Sequence, residues 1–153
     1  MRDINSDLKA VQLLGAQDIT ASTYTKYIDL QGFESAEIIV NIGAATPLSG
    51  SNYMTPTLKE AASAPTASGS YSTVATADQV GAFTAVDAQD EDETTQQVGY
   101  VGSSRYLAVQ VVETGTVTAF NVSVDVILGT PRHAPAGTSP SSCLLYTSDA
   151  ADE

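Results

Sequence analysis

His133 is the chain's only histidine, and so its one side chain that ordinarily titrates near neutral pH. Ser-His-Asp chemistry would need it beside an activated nucleophile. It stands instead in Thr130-Pro131-Arg132-His133-Ala134-Pro135-Ala136. Proline fixes φ and removes a backbone donor, so this segment reads as an extended arm. Arg132 and His133 are therefore interface candidates rather than catalysts. A second constellation is the acidic run of Asp87, Asp90, Glu91, Asp92 and Glu93. Clustered carboxylates suit a hard cation such as calcium, which makes Asp87, Asp90 and Asp92 weak candidate ligands. The EF-hand spacing fails, because Asp90-x-Asp92-x-Thr94 lacks the glycine that should follow. A run this dense usually forms a solvated loop, and no metal or other cofactor is expected.

Arg105 lies beside Tyr106 and five residues after Tyr100. It can stack on a ring or pair with a carboxylate, and Arg105 and Tyr106 complete the set of interface candidates. The plainer alternative is a strand-end arginine in a local salt bridge. Tyr24, Tyr27, Tyr53, Tyr71, Tyr100 and Tyr106 are numerous enough for a sugar-stacking platform. With no tryptophan and with the tyrosines scattered, most are expected to be half-buried sheet residues. No catalytic constellation emerges, and the chain is not expected to be an enzyme.

The last eleven residues, CLLYTSDAADE, differ from the rest in composition and have no periodicity. Back-translated, residues 143–153 resemble the end of a transposase-type sequencing adapter, and they are set aside as non-native. This removes three of the 18 acidic residues and none of the 6 basic ones, so the net charge moves from −12 to −9. Such a surface repels phosphates and argues against nucleic-acid binding. Cys143 is the only cysteine, so neither a disulfide nor a cysteine-based zinc site is expected. No run approaches the roughly 18 apolar residues of a membrane span. The opening MRDINSDLKA has no signal-peptide core, so synthesis in a cytoplasm without membrane association is expected.

The elements that must hold these residues read as strands. From Phe120 to Leu128, Phe120, Val122, Val124, Val126 and Leu128 alternate with Asn121, Ser123, Asp125 and Ile127. That period of two buries one face and wets the other. Further strands are expected at 8–14, 24–30, 35–42, 53–60, 97–101 and 104–113. Pro56 should place its strand at an edge or bulge. Thr114-Gly115-Thr116 reads as a hairpin turn, and the last three strands as an antiparallel meander. The sequence thus predicts an all-β fold, a single antiparallel β-sandwich or jelly-roll-like domain of about seven or eight strands. The domain is expected over 8–129, between an N-terminal arm at 1–7 and an extended arm at 130–142.

The stretches DLKAVQLL, IDLQGFESAEIIVNIGA, STVATADQVG, VGYVGSSRYLAVQVV and VILGTPRHAPA together resemble small structural proteins encoded beside the major capsid protein of tailed bacteriophages. The most specific pieces are Val98-Gly99-Tyr100-Val101-Gly102 before the Arg105-Tyr106 strand, and the Pro131-Arg132-His133-Ala134-Pro135 ending. The resemblance implies a capsid decoration or cement protein on the virion exterior. Its partner would be the major capsid protein, and it would be a homo-oligomer on the shell. The alternatives are a carbohydrate-binding β-sandwich module and a tail or neck component.

Overall fold

The computed structural model describes residues 4–67 and 70–132. His133, the rest of the 133–142 arm and the 143–153 tail lie outside the described residues. The strands in chain order are β1 (Leu8–Ile19), β2 (Thr23–Tyr24), β3 (Ile28–Asp29), β4 (Phe33–Thr46), β5 (Tyr53–Ala61), β6 (Ser72–Thr73), β7 (Gln79–Val80), β8 (Thr95–Tyr100), β9 (Tyr106–Thr114) and β10 (Ala119–Pro131). The first sheet has the order β1-β10-β4-β8-β7. The second has β2-β9-β5-β6, with β3 also on β9. Every pairing is antiparallel. The expected all-β sandwich is what the chain forms.

The pairings have a nested logic. β1 pairs with β10, β2 and β3 with β9, β4 with β8, and β5 with β6. Early strands thus partner late ones, as in a long ribbon folded back on itself. Rolling that ribbon brings β10 against β4 and β9 against β5, which closes the two sheets. This is the jelly-roll arrangement. β2 and β3 are two pieces of one interrupted edge strand, and β7 adds a short ninth position beside the eight of the jelly roll.

Alternation explains the core. On β10, Phe120, Val122, Val124 and Val126 are completely buried, and they face Ile38 and Val40 of β4 in the same state. Leu107, Val109 and Val111 of β9, with Met54 and Leu58 of β5, supply the opposing layer. Burying each such side chain stabilises by about 1.5–3 kcal/mol. A one-residue slip would turn a whole row to solvent, so the burial also fixes register. Pro56 pairs across to Val111, while the opposite side of β5 meets β6 only at Lys59 and Glu60. The proline therefore occupies an edge segment, where a missing N–H is tolerated.

Three expectations need correcting. The last three strands are not a meander: β8 and β10 belong to the first sheet and β9 to the second. The Thr114-Gly115-Thr116 turn is a corner between sheets. There Gly115 has φ 74°, and a Cβ would lie 2.1 Å from the Ser51 carbonyl oxygen. The expected strand at 24–30 is broken, because the buried Thr25 hydroxyl accepts the Val109 N–H at 3.0 Å and interrupts the ladder. Of the expected arms, only residues 4–7 and 130–132 are described. Asp7 N–H closes a turn on the Ile4 carbonyl at 3.1 Å, and β10 continues to Pro131 before Arg132 N–H donates to Gly32 O at 2.9 Å.

Candidate functional site

The sandwich has two unlike ends. At one, here the basal end, β3, β8 and β10 finish and β1, β4 and β9 begin. The segments 30–36 and 100–105, together with Arg132, enclose an open cleft of about 630 Å³ there. Leu30 and Phe33 give it an apolar part, and Arg105 and Arg132 give it charge. Arg105 donates twice to Asp29, from Nε at 2.8 Å and from Nη2 at 2.7 Å, and also donates to the Gln31 amide oxygen. This fork-to-fork pairing fixes the guanidinium plane. It also holds the Asp29 carboxyl below the usual carboxylate range. Arg132 is looser: its Nε lies 3.6 Å from Glu34 and its side chain is 66% exposed.

The cleft wall depends on the Val-Gly-Tyr-Val-Gly stretch. Tyr100 turns inward, donates its hydroxyl to Glu60 at 2.7 Å and accepts the Ser104 N–H at 2.8 Å. Burial, reinforced by the Glu60 hydrogen bond, pushes its pKa up to about 12. Gly102 passes over the ring, where a Cβ would lie 2.5 Å from the Tyr100 hydroxyl oxygen. Only a residue without a side chain lets the loop follow this path.

Beside the cleft, the outer face of the second sheet carries an aromatic group. The Arg105 guanidinium lies 5.1 Å from the Tyr106 ring centre. Tyr27 meets Tyr106 edge-on at 5.5 Å, and Tyr24 stacks on Tyr71 at 5.5 Å with 18° between planes. Burial and the neighbouring phenols of Tyr27 and Tyr24 push the Tyr71 pKa up, so the three hydroxyls share one locality. The structure thus gathers tyrosines expected to be scattered, whereas Tyr53 and Tyr100 take no part in these contacts. Their distribution over segments around 24, 71 and 106 hid the cluster from the sequence.

The acidic run occupies the opposite end. Asp87 to Glu93 crosses the far edge, where Gln89 Nε2 donates to Ala45 O at 2.9 Å and to Asp92 at 2.7 Å. Glu91 accepts from the backbone of Asp87 and Ala88 at 2.9 and 3.3 Å. Among the described residues, no group of three or more acidic, histidine or cysteine side chains is arranged to hold a metal ion. Asp87, Asp90 and Asp92 therefore do not form a ligand set. They also lie far from Arg105, Tyr106 and Arg132, which the basal end does bring together.

One contrast sets the basal end apart. Among the described residues, Ile4, Leu8, Tyr27, Val80 and Val101 are the exposed large hydrophobics. Leu8, Val80 and Val101 lie at the basal ends of β1, β7 and β8, Ile4 in the turn leading into β1, and Tyr27 beside Tyr106. Arg105, Arg132, Lys9 and Lys59 occupy the same half, interspersed with Asp29, Glu34, Glu37, Glu60 and Asp78. The acid end carries Asp18, Glu113 and the 87–93 run, and no basic residue among those described. No protein-family model and no curated protein matches the chain.

Proposed function

We propose that this chain is a non-enzymatic structural protein of a bacteriophage virion, a head decoration protein that docks on the major capsid protein by its basal end. One observation carries the reading: Arg105, Arg132, exposed apolar side chains and an open cleft are collected at one end, where charges of both signs mix, while the other end carries acids alone among the described residues. Arginine and tyrosine are enriched where interfaces concentrate their energy, and the exposed apolar side chains spread across this end add area to such a contact. The acid end would face outward, where its charge keeps neighbouring particles apart. Many identical copies on a shell would gain avidity from a modest individual contact.

The test is co-sedimentation with empty expanded shells assembled from the major capsid protein encoded beside this chain. The wild-type protein should pellet with the shells, less so as salt rises, because exposed charge pairs are screened. The Arg105→Ala/Arg132→Ala variant should bind about tenfold more weakly. A variant in the acid end, Asp90→Asn, should bind as the wild type does. Equal binding by all three proteins, or none by the wild type, would overturn the proposal.

A further inference from the structure

Ala61, Tyr106 and Ala108 are buried, yet they are not part of the central core cluster. On β9 the flanking Leu107 and Val109 point into the core, so Tyr106 and Ala108 face outward. On the outer face of the second sheet, Asp29, Tyr106 and Ala61 make one cross-strand row, Ala108, Lys59 and Thr73 the next, and Tyr24, Gln110 and Thr57 the third. The stacked Tyr24–Tyr71 pair and the Tyr27–Tyr106 pair belong to this face. A chain with three phenylalanines and no tryptophan places four of its seven tyrosines here, outside its core.

We propose that the Tyr24, Tyr27 and Tyr71 cluster is a binding site for a neutral oligosaccharide. A pyranose has flat C–H faces and a rim of hydroxyls. Phenol rings offer the matching pair, an apolar face with a donor and acceptor at its tip. Gln110 and Thr57 stand in the same row as Tyr24, and Lys59 donates to Thr73 at 2.7 Å in the next row, so polar groups border the rings. A purely apolar ligand would leave the phenol hydroxyls of this face without a partner on it. A stacked nucleotide would bring phosphate to a chain whose net charge is −9 even without residues 143–153. The neutral sugar is the stacking ligand that meets neither objection. This inference does not depend on capsid docking: it shares Tyr27 with the basal end but uses neither Arg105, Arg132 nor the cleft.

Tyrosine emission reports on binding, since no tryptophan masks it and four of the seven tyrosines stand on this face. Cellohexaose, chitohexaose and maltohexaose would each be titrated into the full chain, with calorimetry alongside. At least one should bind with Kd of about 1 mM or tighter. Tyr24→Ala and Tyr71→Ala should each weaken it tenfold or more, while Tyr71→Phe keeps much of the stacking and Tyr53→Ala leaves affinity unchanged. Near-ultraviolet dichroism would establish that each variant remains folded. No binding of any of the three sugars, or equal affinity in a folded Tyr24→Ala/Tyr71→Ala double variant, would overturn the proposal.

Discussion

The Tyr100 hydroxyl on β8 donates to the Glu60 carboxylate on β5 at 2.7 Å, which ties the first sheet to the second at the basal end. Unfolded tyrosine titrates near 10, whereas Tyr100 in the fold holds its proton to about 12. Between those values the unfolded chain has lost the proton and the folded chain keeps it. The contribution is thus complete below pH 10 and is lost as pH rises to 12. Urea unfolding of the wild type should weaken across that window by on the order of 2 kcal/mol more than that of Tyr100→Phe. At pH 7 the variant itself should be destabilised by about 1–2 kcal/mol, because Glu60 and the Ser104 N–H lose a partner. Parallel pH curves for the two proteins would refute the assignment.

Val124 faces Val40 on one side and Leu14 on the other, and it is completely buried. Val124→Asp would place an unpaired carboxylate in the middle of the sandwich, at a cost of several kcal/mol. The variant should be insoluble on expression or lack a cooperative thermal transition. Asp125→Val, on the opposite face of the same strand, should remain soluble and folded.

Gly115 turns the chain from the second sheet to the first at φ 74°. Gly115→Ala would bring its Cβ 2.1 Å from the Ser51 carbonyl oxygen, so the corner must open. A loss of at least about 2 kcal/mol is expected, visible as a drop of several degrees in Tm. An unchanged Tm would show that the corner is looser than described.

Thr130 sits at φ 51°, an unusual value for a β-branched residue, immediately before Pro131 at the end of β10. Asparagine tolerates this region far better. Thr130→Asn should raise stability by about 1 kcal/mol in thermal melts, net of the exposed 3.2 Å hydroxyl contact with Ser35. A lower Tm would mean that this contact outweighs the backbone strain.

The legible parts of the fold were those where solvent and core divide a strand between them. Phe120 to Leu128 and Ala36 to Ile42 announce themselves because their alternate residues have opposite environments. Nothing local distinguishes a hairpin turn from a sheet-to-sheet corner, however, so Gly115 signals a turn without saying which strands it joins. Arg105 and Tyr106 were visible as neighbours in sequence, but their partners Asp29 and Tyr27 are supplied by β3 and the segment before it. The separation of the acidic run from the arginines was likewise hidden, since strand order sets which loops share an end.

The β1–β10 ladder couples Leu8 to Gly129 and Ile19 to Phe120. β10 also stands between β1 and β4, so the first sheet has no continuous middle until nearly the whole domain has been synthesised. A nascent chain lacking residues beyond Thr118 would expose two long unpaired edges, on β1 and on β4. During translation the chain must therefore remain unaggregated with its first sheet divided, and folding is completed by the late entry of β10 into the gap between β1 and β4. Closing such distant pairings carries a high entropic barrier, which places folding on the millisecond-to-second scale of other non-local β proteins.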